Sequence, residues 1–142
     1  MNVNVQSTIQ KPIHEVYEAI VDPKKITGYF VSHASAPMEA DRSITWEFSD
    51  YNVSFDIKVL EVMKDQRVSF EWDVEGKMVV VTISLTPISE KVTQIDITES
   101  SYLFTETDVA KAMGQTQGWT DFICSLKAYL YTGINLRNGS YP

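Results

Sequence analysis

The sequence predicts an α+β fold: an antiparallel sheet of about six strands, two short helices after the first strand, and a long C-terminal helix. Three observations carry this. Apolar residues recur every second position over most of residues 43–100, they recur at helical spacing near both ends, and each change of period falls at a proline, an Asx residue or a short polar turn.

The opening "NVNVQSTIQ" alternates, with Val3, Val5 and Ile9 on or near a period of two, and reads as a strand. Pro12 stands where the first helical residue belongs, and Ile13, Val16, Tyr17 and Ile20 then follow helical spacing as far as Asp22. Asp22-Pro23 repeats the device: Asp22 is the expected N-cap of a second helix running through "KKITGYF". From Ser43 the period is two. Ile44, Trp46 and Phe48 share one face, as do Val53, Phe55, Ile57 and Val59, with a bulge or strand end at the step to Leu60 and Val62. Val68, Phe70, Trp72 and Val74 continue the series, followed by Val79, Val81, Ile83 and Leu85, then Ile95 and Ile97. One-sided alternation means an antiparallel sheet with one wet face, and "MKDQ" and "EGK" are short enough for hairpins.

The last element is a helix with an inner stripe of Trp119, Phe122, Ile123, Leu126 and Leu130. Projected backwards, the same face carries Ala112, Gln115 and Thr116, which are small or polar. Gly114 and Gly118 fall off the stripe, and each costs about 1 kcal/mol in a helix interior relative to Ala, so the helix is expected to bend or open here. A polar half-stripe of this kind suits the cover of a pocket.

With 142 residues the chain reads as a single domain over residues 1–142. A net charge of −7 argues against nucleic acid or an anionic membrane surface as a general partner. The single Cys124 forms no internal disulfide and no CxxC metal site, the first residues do not resemble a signal peptide, and no run is long enough for a membrane span. A cytoplasmic location is the expectation.

The order of elements, the "TWEF" strand, "FDIKVLEV" followed by "QRVSFEW", and above all "GWTDFICSLKAYL" resemble the START-like helix-grip superfamily (SRPBCC), and within it the branch of activator of heat-shock protein 90 ATPase homologues. The resemblance spans essentially the whole chain. It implies a curved sheet gripping the C-terminal helix around a cavity that often holds an apolar ligand. The eukaryotic chaperone activators carry a separate N-terminal domain for which this chain has no room, so chaperone activation is not carried over.

Chemistry is sparse. Strand parity from Ile95 and Ile97 places Glu99 on the inner face, where a carboxylate needs a partner or a raised pKa. Gln115 and Thr116 could bond the polar end of a ligand. His14 reads as a surface residue and His33 as a loop residue; with no HExxH, GxSxG or Gly-rich phosphate loop, neither metal, cofactor nor catalytic residue is expected. The expected function is non-catalytic binding of a small, largely apolar ligand, lipid-like or aromatic. Its expected cavity is lined by Trp46, Phe48, Phe55, Phe70, Trp72, Ile97, Glu99, Ala112, Gln115, Thr116, Trp119, Phe122 and Ile123. The alternatives are an interaction module of the chaperone-activator type, with a chaperone or a homodimer partner, and a cyclase- or hydrolase-like enzyme.

Overall fold

The computed structural model describes residues 1–140. Strand β1 (Val3–Ile9) leads into helices α1 (Ile13–Val21) and α2 (Pro23–Ile26). Strands β2 (His33–Ala34), β3 (Ser43–Phe48), β4 (Val53–Met63), β5 (Arg67–Val74), β6 (Lys77–Ser89) and β7 (Val92–Ser100) follow, and helix α3 (Glu106–Thr132) closes the order. All strand pairs are antiparallel, in the order β1-β7-β6-β5-β4-β3-β2, and α3 lies along the sheet.

Among the described residues the sheet thus has seven strands where the sequence suggests about six. The addition is β2, whose two residues pair with Trp46 and Glu47 and are too few to display a period. The step at Leu60 is a bulge, a register shift between Val59 and Glu61 of the kind that bends a strand. Between β5 and β6 the turn residues Glu75 and Gly76 both have positive φ, 49° and 89°, which is the geometry of a tight two-residue hairpin.

Helix boundaries follow local chemistry. Pro12 is the N-cap of α1 rather than its first residue, a shift of one position. Asp22 caps α2 as expected, its carboxylate accepting from the Lys24 amide at 2.9 Å. That helix stops at Ile26, earlier than its sequence suggests, and residues 27–30 continue as turns in which Gly28 approaches α3 closely. A Cβ there would meet the Tyr129 ring at 2.5 Å. Past it, Tyr29 is fully buried and donates its hydroxyl to the Ala19 carbonyl at 2.9 Å.

Thr105 caps α3 by accepting from the Asp108 amide, and Gly133, at φ 75°, ends it. Contrary to expectation, α3 runs unbroken through Gly114 and Gly118. Helical hydrogen bonds need no side chain, and both glycines face open space. The stripe Trp119, Phe122, Ile123 and Leu126 is buried against the inner face of the sheet, whose Ile57, Phe70, Val81, Ile83 and Ile97 are at most 2% exposed. Phe30 joins the two layers, packing edge-on against Trp46 and Phe122 at centroid distances of 5.7 and 4.8 Å.

Candidate functional site: an aromatic groove over a buried carboxylate

The core stops short of one end of the sheet. There the N-terminal half of α3 stands away from β3 and β4 and leaves a groove of about 1130 Å³. Phe48, Tyr51, Val53, Phe55 and Trp72 form its sheet side. Met113 to Asp121 together with Cys124 form its helix side, and Phe30, Arg137 and Ser140 complete the wall. Gly114 and Gly118 are what keep it wide, since their missing side chains expose bare helix backbone.

Six of the residues expected on a cavity wall are there: Phe48, Phe55, Trp72, Gln115, Thr116 and Trp119. Trp46, Phe70, Ile97, Ala112, Phe122 and Ile123 are instead packed in the core, all 7% exposed or less. Parity assigns a face but not how far along that face the helix covers, so it places filled core and open wall alike. Val53 shows the same effect in reverse, on the inner parity yet 41% exposed where α3 no longer covers β4.

Glu99 lies behind this wall and is fully buried. Its Oε2 accepts from the indole Nε1 of Trp119 at 3.0 Å, from Nε1 of Trp72 at 3.2 Å and from the Gln115 amide at 3.1 Å. Its Oε1 accepts from the Tyr102 hydroxyl. None of these four donors carries a formal charge, and together they suit the acceptor-only valence of a carboxylate. Burial, with the bond to Glu99 and its charge, pushes the Tyr102 phenol well above its ordinary value, so it stays a donor at neutral pH. The carboxylate expected to need a partner has found several, from β5, from α3 and from the segment joining β7 to α3.

Two expectations about individual side chains need adjusting. The Thr116 hydroxyl donates to the Ala112 carbonyl at 2.7 Å, the usual back-bond of a helical threonine, so its proton is committed. The Gln115 amide nitrogen is committed to Glu99, while its Oε1 makes no hydrogen bond among the described residues. Both histidines are exposed, His33 in β2 and His14 beside Asp65 at 3.0 Å. Among the described residues no three His, Cys, Asp or Glu side chains converge as metal ligands would, and Cys124 is an exposed thiol on the groove rim.

Tyr51 and Arg137 are among the wall residues that sequence periodicity misses, with Phe30, Asp121 and Ser140. Tyr51 sits in a single 3-10 turn and Arg137 in the turn after α3, where no repeat exists to reveal them.

A family model described as activator of Hsp90 ATPase homolog 1-like protein matches residues 10–131. The chain belongs to this family. Comparison with curated proteins finds no match. Among solved structures, protein SSP2350 from Staphylococcus saprophyticus is 29% identical, with a TM-score of 0.84 over 96% of each chain. DynU16, a protein of the dynemicin biosynthetic locus, is 32% identical at a TM-score of 0.81; the match covers 94% of this chain and 48% of DynU16. The Aha1 dimer from Colwellia psychrerythraea shares the fold at a TM-score of 0.79 and 17% identity, over 94% of this chain and 98% of that one. Helix-grip architecture and family therefore agree. No helix of the described residues is long and apolar enough to cross a membrane.

Proposed function

We propose that this member of the family binds a small, largely apolar ligand in the groove beside α3, without catalysis, as a one-domain cytoplasmic protein. The observation that carries the reading is the groove's construction. Phe30, Phe48, Phe55, Trp72 and Trp119 converge on a space of about 1130 Å³, sufficient for a drug-sized molecule. The wall is held from behind, since the Trp72 and Trp119 indoles are both tied to Glu99. Such fixing lowers the ordering cost of binding.

The test is titration with the neutral fluorescent probe N-phenyl-1-naphthylamine. Saturable binding near one probe per chain is expected, and Gly118→Leu, which projects a side chain into open groove, should abolish it while the protein stays folded. A folded parent that binds no probe saturably would overturn the reading.

A second reading rests on a different surface. Leu103 and Phe104, 63% and 85% exposed, directly precede α3, and Met78 follows Lys77, whose ammonium pairs with Asp108 of α3 at 3.2 Å. Exposed apolar side chains at this end suit an interaction module. Relatives point the same way: one solved match is an Aha1 dimer and another an HSP90 activator from Plasmodium falciparum. Loss of chaperone-ATPase stimulation or of self-association in Phe104→Ser would support it.

A further inference from the structure

After the cap at Gly133 the chain doubles back, and Arg137 and Ser140 become part of the groove wall. The turn is locally tied: the Arg137 amide donates to Asn135 Oδ1 at 3.0 Å, and the Ser140 hydroxyl donates to the Leu136 carbonyl at 2.8 Å. It delivers the Arg137 guanidinium over two aromatic rings, with Cζ 5.8 Å from the Phe30 centroid and 5.7 Å from that of Phe48. Nη1 lies 3.5 Å from Asp121 Oδ2 on the rim, and the Arg137 side chain is only 14% exposed. The groove of this chain already contains an organic cation, its own.

Building on the groove as a ligand site, we infer that its ligand is a free amphiphilic cation, an ammonium or guanidinium head on an apolar body, and that Arg137 is the internal group it replaces. Four features converge on a positive head. The Phe30 and Phe48 rings present their π systems to a cation, and Arg137 demonstrates that the geometry accepts one. Trp72 and Trp119 donate their N–H groups to the Glu99 carboxylate, which drives electron density into the indole rings of the wall and places a negative charge directly behind them. Asp121 supplies a carboxylate at the rim and the Gln115 Oε1 an acceptor on the helix side. The net charge of −7 attracts cations at long range. An anionic head would meet each of these as repulsion or as an acceptor it cannot use. The apolar body finds Phe55, Val53 and the glycine backbone of α3.

The experiment displaces bound N-phenyl-1-naphthylamine with three molecules of equal chain length, each below its micelle concentration or solubility limit: dodecyltrimethylammonium, dodecanol and dodecanoate. Near-UV circular dichroism checks the fold at each end point. The cation is expected to displace the probe at a concentration about tenfold below dodecanoate and several-fold below dodecanol. Arg137→Ala removes the internal competitor and should strengthen the cation several-fold further. Arg42→Ala, which deletes the same charge from an exposed site outside the groove, should not. If dodecanoate displaces best and loses that advantage in Arg137→Ala, Arg137 is an anion anchor and the inference is overturned. Equal displacement by all three overturns it too, while leaving the apolar-ligand reading intact. A parent that never binds the probe takes both down.

Discussion

Leu126 and Gly118 stand on one uninterrupted helix and meet opposite surroundings. Leu126 is fully buried against the sheet, whereas a Cβ on Gly118 would find no heavy atom within 4 Å. The C-terminal half of α3 carries dense apolar packing; the N-terminal half borders open groove and is tied to the sheet through polar bonds to Glu99. Trp119 belongs to both, packing on Phe122 at a centroid distance of 5.2 Å and forming groove wall. The contrast teaches that one helix can separate the two demands on a binding domain. Stability is concentrated where the helix is apolar, and space is kept where it is small and polar.

Substitutions along this divide test it. The largest effect is expected from Glu99→Leu, which strands two indole donors and a phenol in the interior and leaves the half-buried Gln115 amide without its acceptor. Unfolding free energy should fall by about 3–5 kcal/mol in chemical denaturation. A loss below about 1 kcal/mol would mean that the polar tie contributes nothing and that the two halves are held alike. Next comes Leu126→Ala, expected to cost about 3 kcal/mol through the cavity it leaves, with probe binding nearly unchanged. Gln115→Leu removes one of the four bonds to Glu99 at a partly exposed site. It should cost about 1–2 kcal/mol while altering probe affinity, the reverse weighting of Leu126→Ala. The smallest effect has the opposite sign. Gly118→Ala should raise stability by about 0.5–1 kcal/mol, because helix propensity improves with nothing to clash, and should weaken probe binding by narrowing the groove. A destabilised Gly118→Ala protein would show that this face is packed after all.

Much of the fold is legible because two-residue and helical periods are local properties. The inner positions of β5, Val68, Phe70, Trp72 and Val74, all fall on the buried face, and the bulge after Val59 is announced by the slip to Leu60. Glu99 is placed inside by the same parity. What periodicity does not encode is where one layer stops covering another. Phe55 and Phe70 have the same pattern, but only Phe55 reaches the groove. The partners of Glu99 are equally hidden, since Trp72 and Gln115 come from elements 27 and 16 residues away and the direction of an indole N–H is a tertiary property. The glycines of α3 were legible as a weakness in a helix; in the fold they are width in a groove. Arg137 carries no signal at all, being an isolated polar residue in a turn.

The close approach of Gly28 to Tyr129 has a consequence beyond this chain. Because a single methyl group at position 28 would overlap the aromatic ring, the two positions are expected to change together in descent. Lineages of the family that accept alanine or serine at the position of Gly28 are expected to have first exchanged the tyrosine for a slimmer residue, and those that keep the ring to keep the glycine. The order of substitution is thereby constrained, and two sites about a hundred residues apart should record a shared history, one that a reader of many related sequences could recover without any coordinates.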